Sequence, residues 1–219
     1  MTTRFRLIST AGLTVLAVAL SGCKSKGDIV FNDGVGIAAV RGACPSVGVA
    51  DYTGDITLFR APGVTDAASI DVSAALTNVR STCNDSSDKV YTALEFDVLA
   101  RRADARGART VQLPYFVTVV RGGRAVVSKR IATVTLNFAD GQERAQAHAT
   151  GGAYIDKSEA TLSAEIRDRI TRKRKAGDSD AAIDPLAQPD VKAAVARATF
   201  DVLVGFQLDD RQLGYNATR

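Results

Sequence analysis

The 219 residues carry 28 lysines and arginines against 24 acids, a formal net charge of +4, with three cysteines, one histidine and no tryptophan. Length and a 46 % hydrophobic share allow one domain with a sizeable core. The basic balance raises nucleic acid as a partner, but no strong basic stripe interleaved with aromatics is present, and a lone histidine leaves a metal site short of ligands.

The chain opens with Arg4 and Arg6, followed by an uncharged run from Leu7 to Leu20 that is mostly Leu, Ala, Val, Ile and Gly. This is the layout of an export signal, too short to cross a bilayer permanently, where about 20 apolar residues are needed. The run ends at Leu20-Ser21-Gly22-Cys23, which resembles the lipobox of bacterial lipoproteins. That resemblance implies cleavage before Cys23, a diacylglycerol on its thiol and an acyl group on its freed amine. Two or three acyl chains, at about 0.8 kcal/mol per buried CH₂, hold a protein on a membrane where one would be marginal. Lys24, standing where Asp would mark retention, resembles the signal for sorting to the periplasmic face of the outer membrane. Taking Arg4 and Arg6 and no acid from a net charge of +4 leaves +2 in the mature chain, and export removes nucleic acid from the partners considered.

With Cys23 assigned to lipid, Cys44 and Cys83 form an even pair in an oxidising compartment, and a disulfide between them is expected. Closing a loop of about 40 residues would restrict the unfolded chain by roughly 3 to 4 kcal/mol on the entropic account. Residues 23–43, rich in Gly and Ala with a brief apolar patch at Ile29, Val30 and Phe31, read as the lipidated cysteine and a tether. Such a tether would hold the domain, residues 44–219, roughly 25 Å from the bilayer.

Period-two alternation follows. Ile70, Val72, Ala74, Leu76 and, after a phase slip, Val79 mark one strand, and Leu94, Phe96 and Val98 another. A hairpin is expected where Tyr115–Arg121 and Ala125–Phe138 flank Gly122-Gly123, a pair suited to a tight two-residue turn of positive φ. Val134, Leu136 and Phe138 form its inward face, and Pro114 marks a strand start or an edge.

A helix is expected after Ser158 as N-cap, with Leu162, Ile166 and Ile170 down one side, a basic end at Arg172–Lys175 and Gly177 as its stop. A second short helix is expected from Asp190 to Ala198. Phe200, Val202, Val204, Phe206 and Leu208 then alternate without a break, so the last strand must pair inside a sheet. Roughly seven short strands, Gly-rich turns and a cystine give a mainly β fold: an antiparallel sandwich of immunoglobulin or fibronectin type, with a helical insertion over about 157–198 before the last strand. An open antiparallel sheet backed by the helices is the alternative.

Leu113-Pro114-Tyr115-Phe116-Val117, and Leu203-Val204-Gly205-Phe206-Gln207-Leu208 with Gln212-Leu213 and Tyr215-Asn216, resemble uncharacterised lipoproteins of alphaproteobacteria over most of the mature domain. No activity comes with this resemblance.

Chemistry is sparsely signalled. His148 lacks a G-x-S-x-G serine to serve, so a surface or hydrogen-bonded strand histidine is expected. Asp85 with Asp88, and Asp209 with Asp210, sit in turn-like sequence, and the paired glycines match no phosphate-binding fingerprint. The most suggestive feature is the run Arg167, Arg169, Arg172, Lys173, Arg174 and Lys175, which could meet an anionic surface at about 1 kcal/mol per residue near a charged membrane. A solvated helix end explains it more economically. The expectation is a non-enzymatic structural or protein-interaction module of the cell envelope, held by lipid on Cys23, without a cofactor or metal, and with an envelope protein as partner. Its rivals are an accessory subunit of an export or assembly complex, and a small-ligand binder or enzyme.

Overall fold

The computed structural model describes residues 42–175, 177–179 and 183–219. The expectations for the signal at 1–22, for Cys23 and for most of the tether lie outside the described residues.

Eight strands are described: β1 (Ser46–Val49), β2 (Asp55–Phe59), β3 (Ile70–Asn84), β4 (Lys89–Arg102), β5 (Arg109–Arg121), β6 (Ala125–Phe138), β7 (Arg144–Asp156) and β8 (Phe200–Phe206). They form two four-stranded sheets in the orders β1-β8-β5-β6 and β2-β3-β4-β7. Alternation decides which side chains meet between them. Val90, Leu94, Phe96, Val98 and Ala100 of β4 face Leu113, Tyr115, Val117, Phe200, Val202, Val204 and Phe206 from the other sheet in one continuous core. The Phe96 and Tyr115 rings meet edge to face at 5.1 Å, and the buried Tyr115 hydroxyl donates to Thr150 O at 2.8 Å. That geometry keeps the phenol apolar in body and satisfied at its tip.

The mainly β, two-sheet expectation holds, with corrections. Five of the strands run 13 to 15 residues and are not short. Bulges relieve two of the long ladders, between Thr77 and Arg80 in β3 and opposite Val119/Val120 in β5. The first is the phase slip visible in the sequence, with Asn78 in the left-handed region at φ 55°. Pairing is antiparallel except that β1 runs parallel to β8. The hairpin loop has three residues and not two, since Arg121 pairs with Ala125; Gly122 and Gly123 take φ of 61° and 75°. Pro114 sits within β5, a central strand. Its carbonyl accepts from Gln207 N at 2.9 Å just past the last β8 pair, Tyr115 with Phe206, so the donor it lacks falls where that ladder has run out.

The helical insertion lies between β7 and β8 as expected, as α1 (Ala164–Thr171) and α2 (Pro189–Arg197). Ser163, not Ser158, caps α1, its hydroxyl accepting from Ile166 N at 3.3 Å. The helix ends before Arg172–Lys175, the expected basic helix end, because Arg172 turns extended at ψ 124°. A third helix that the sequence reading missed, α3 (Asp210–Thr218), starts on a capping box between Asp209 and Gln212. Its Asn216 amide donates to Tyr52 O at 2.9 Å and Asp55 O at 2.8 Å, pinning the helix over β2, where Tyr215 meets Phe59 edge to face at 5.1 Å.

Candidate functional site

Cys44 and Cys83 are bonded, with Cα atoms 6.1 Å apart, tying the entry to the first sheet onto the far end of β3 in the second. Both residues are exposed.

The basic run does not act as one patch. Arg167 is exposed on α1, whereas Arg169 leaves the run's surface role to join the insertion together: its guanidinium donates to Asp190 at 2.5 Å and to the Gln188 side chain, both at the start of α2. That contact holds the Asp190 carboxyl below the usual carboxylate range. Arg174 is buried at 7 % exposure and donates to Arg169 O at 3.0 Å. Arg172, Lys173 and Lys175 are exposed. The reading of the run as a solvated helix end, and the rival reading of all six cations as an anionic-surface contact, are therefore corrected at Arg169 and Arg174, which make contacts within the insertion.

The outer face of the second sheet carries the most organised polar chemistry. Register sets its side chains in rows across the strands: Thr57, Ser73, Arg101 and Arg144; then Asp55, Ala75, Leu99 and Gln146; then Thr77, Asp97 and His148. In the last row His148 Nδ1 lies 3.1 Å from Asp97 Oδ1, and Asn78 Nδ2 donates to Asp97 Oδ2 at 2.7 Å. The Asn78 amide first, and His148 second, hold the Asp97 carboxyl below its ordinary range. The expectation of a hydrogen-bonded strand histidine agrees with this geometry. The left-handed Asn78 at the β3 bulge is what aims its amide at Asp97.

The first two rows floor a groove of about 800 Å³, closed on one side by Arg219 beyond α3. Its floor side chains are small at Ser73 and Ala75, and Leu99 stands 47 % exposed beside them. Three guanidiniums rim it. Arg101 pairs with Glu143 at 3.0 Å and Arg219 pairs with Asp55, while Arg144 is exposed and has no carboxylate partner among the described residues. The sequence reading named none of these residues, because only the β4–β7 register brings Arg101 and Arg144 opposite each other. Among the described residues no group of three His, Cys, Asp or Glu is placed to hold a metal ion.

No family model matches the chain, and neither does any curated protein or solved structure.

Proposed function

We propose that the chain is a lipid-anchored envelope lipoprotein, held through Cys23 on the periplasmic face of the outer membrane, whose sandwich works as a non-enzymatic structural or protein-interaction module. The observation that carries this reading is the exposed Cys44–Cys83 cystine at the entry to the domain. A cystine of that kind belongs to an oxidising compartment, and the Leu7–Leu20 run with the lipobox at Cys23 is the means of reaching one. In this reading the fold is of the immunoglobulin or fibronectin kind, supported by two four-stranded sheets packed on a shared core. Fractionation of cells expressing the full chain tests it. The protein should sediment with membranes, resist extraction by salt and leave with detergent, and Cys23→Ser should leave that detergent-dependent pool. A wild-type chain that salt alone extracts would refute the anchor.

A further inference from the structure

Arg101 and Arg144 are direct cross-strand partners on the outer face of the second sheet. Like charges set opposite one another on neighbouring antiparallel strands destabilise a sheet. Glu143 neutralises Arg101, whereas Arg144 has no carboxylate partner among the described residues, and a third guanidinium, Arg219, itself paired with Asp55, lines the groove at its other wall. A guanidinium without a carboxylate partner among the described residues, beside a groove of about 800 Å³ that is within the size range of small-molecule sites, leaves a place for an anion. The planar guanidinium fork suits a phosphate or carboxylate, which accepts two parallel N–H bonds. The rest of the groove sets the shape of the remainder. Ala75 and Leu99, in the adjoining row, offer an apolar strip leading from Arg101 and Arg144 toward Asp55 and its partner Arg219.

We propose that this groove binds an oxyanion carried on a short apolar chain, the head held by Arg144 beside Arg101, the chain lying over Ala75 and Leu99 toward Arg219 at the β2 edge. The site is independent of how the protein is held in the envelope. The same head-and-tail chemistry occurs in membrane phospholipids and in soluble amphiphiles, and the test separates the two.

Calorimetric titration of the full chain in a non-ionic detergent with hexyl phosphate should give saturable binding, weaker for inorganic phosphate, which lacks the chain. Arg144→Gln should weaken hexyl phosphate by about tenfold or more, with Arg144→Lys recovering part of the loss, while Arg124→Gln on the distant β5–β6 loop leaves affinity unchanged. Because Arg144 is exposed and has no carboxylate partner among the described residues, the thermal midpoint of Arg144→Gln should hold or rise. A lipid source predicts that nanodiscs containing phosphatidylglycerol, but not phosphatidylcholine alone, compete with hexyl phosphate; a soluble source predicts that neither does. No saturable binding of hexyl phosphate, equal affinity in Arg144→Gln, or a lowered midpoint in that variant, which would make Arg144 a structural residue, each overturns the proposal.

Discussion

Arg102 is a charge at 1 % exposure with no carboxylate against it among the described residues. Its guanidinium donates instead to four backbone carbonyls: Gln142 at 2.8 Å, Gly107 at 2.7 Å, Ala105 at 2.6 Å and Ala139 at 2.8 Å. Those carbonyls belong to the β4–β5 and β6–β7 loops, so one side chain closes both at one end of the sandwich. Four oriented dipoles replace the water that a buried cation loses, and the Phe138 ring lies 5.3 Å from the guanidinium. Arg102→Met should cost about 3 kcal/mol or more, since it leaves several carbonyls unpaired at once. Urea denaturation measures this, and a loss under about 0.5 kcal/mol would mean that the loops hold themselves. The sequence held a signal for this residue: continuing the β4 alternation through Val98 and Ala100 puts Arg102 inward, against the habit of reading Arg101-Arg102 as a surface pair. Asp71 illustrates a charge acting in the other direction. Both its oxygens accept from Arg109 at 2.7 Å, joining β3 of one sheet to the start of β5 in the other, and this contact holds its carboxyl below the usual range. A depressed carboxylate stabilises the fold above its unfolded value near 3.9 and loses that contribution as pH falls through the folded value. Stability should therefore drop on acidification below about pH 4, and Asp71→Asn should flatten part of that drop, by about 1 kcal/mol or less for so exposed a pair. Coincident acid profiles for the two proteins would show the clamp to be idle.

Among elements, β6 is the exposed one. It ends the first sheet, and every residue from Ala125 to Thr133 is exposed, including Val126, Val127 and Ile131. An open apolar edge invites pairing with other chains. Here Val127 is the extra residue of the bulge, Lys129 carries charge on the edge, and Arg130 pairs with the core residue Val117, so it stands on the inner side of the sheet at its rim. Bulge, edge lysine and inward charge are the means by which natural sheets discourage such pairing. Replacing Lys129 and Arg130 with Thr should leave the melting temperature close to that of the parent and raise aggregation, which light scattering at rising concentration would register; unchanged scattering would remove this role. The insertion divides the basic run by a similar logic. Neutralising Arg172, Lys173 and Lys175 should change stability by within about 0.5 kcal/mol, whereas Arg174→Ala, at a buried position, should cost about 1 to 3 kcal/mol. Equal costs for both sets, read by denaturation, would restore the picture of a uniformly solvated run. The period of two located β3, β4, β6 and β8 and their inward faces, because a half-buried strand writes its burial into alternate residues. The start of α1 was misplaced by five residues, since two serines, Ser158 and Ser163, offer the same cap and only packing chooses between them. α3 was missed although Asp209 and Gln212 have the spacing of a capping box, because Asp209-Asp210 also suits a turn.

At the scale of the whole molecule, the sequence reads more clearly for address than for action. The lipobox and the paired cysteines are local or compositional signals and need no tertiary structure to be recognised. The groove and the Asn78–Asp97–His148 row depend on pairing between strands far apart in the chain, and no single-strand pattern announces which residues will face one another. The cystine joins the two scales, fastening the residue just before β1 of the first sheet to β3 of the second. Export and anchoring through Cys23 remain the centre of the account, and metabolic labelling with a clickable fatty acid tests them most directly. The full chain should take up the label covalently and Cys23→Ser should not; an unlabelled wild-type chain, or label retained in Cys23→Ser, would contradict it.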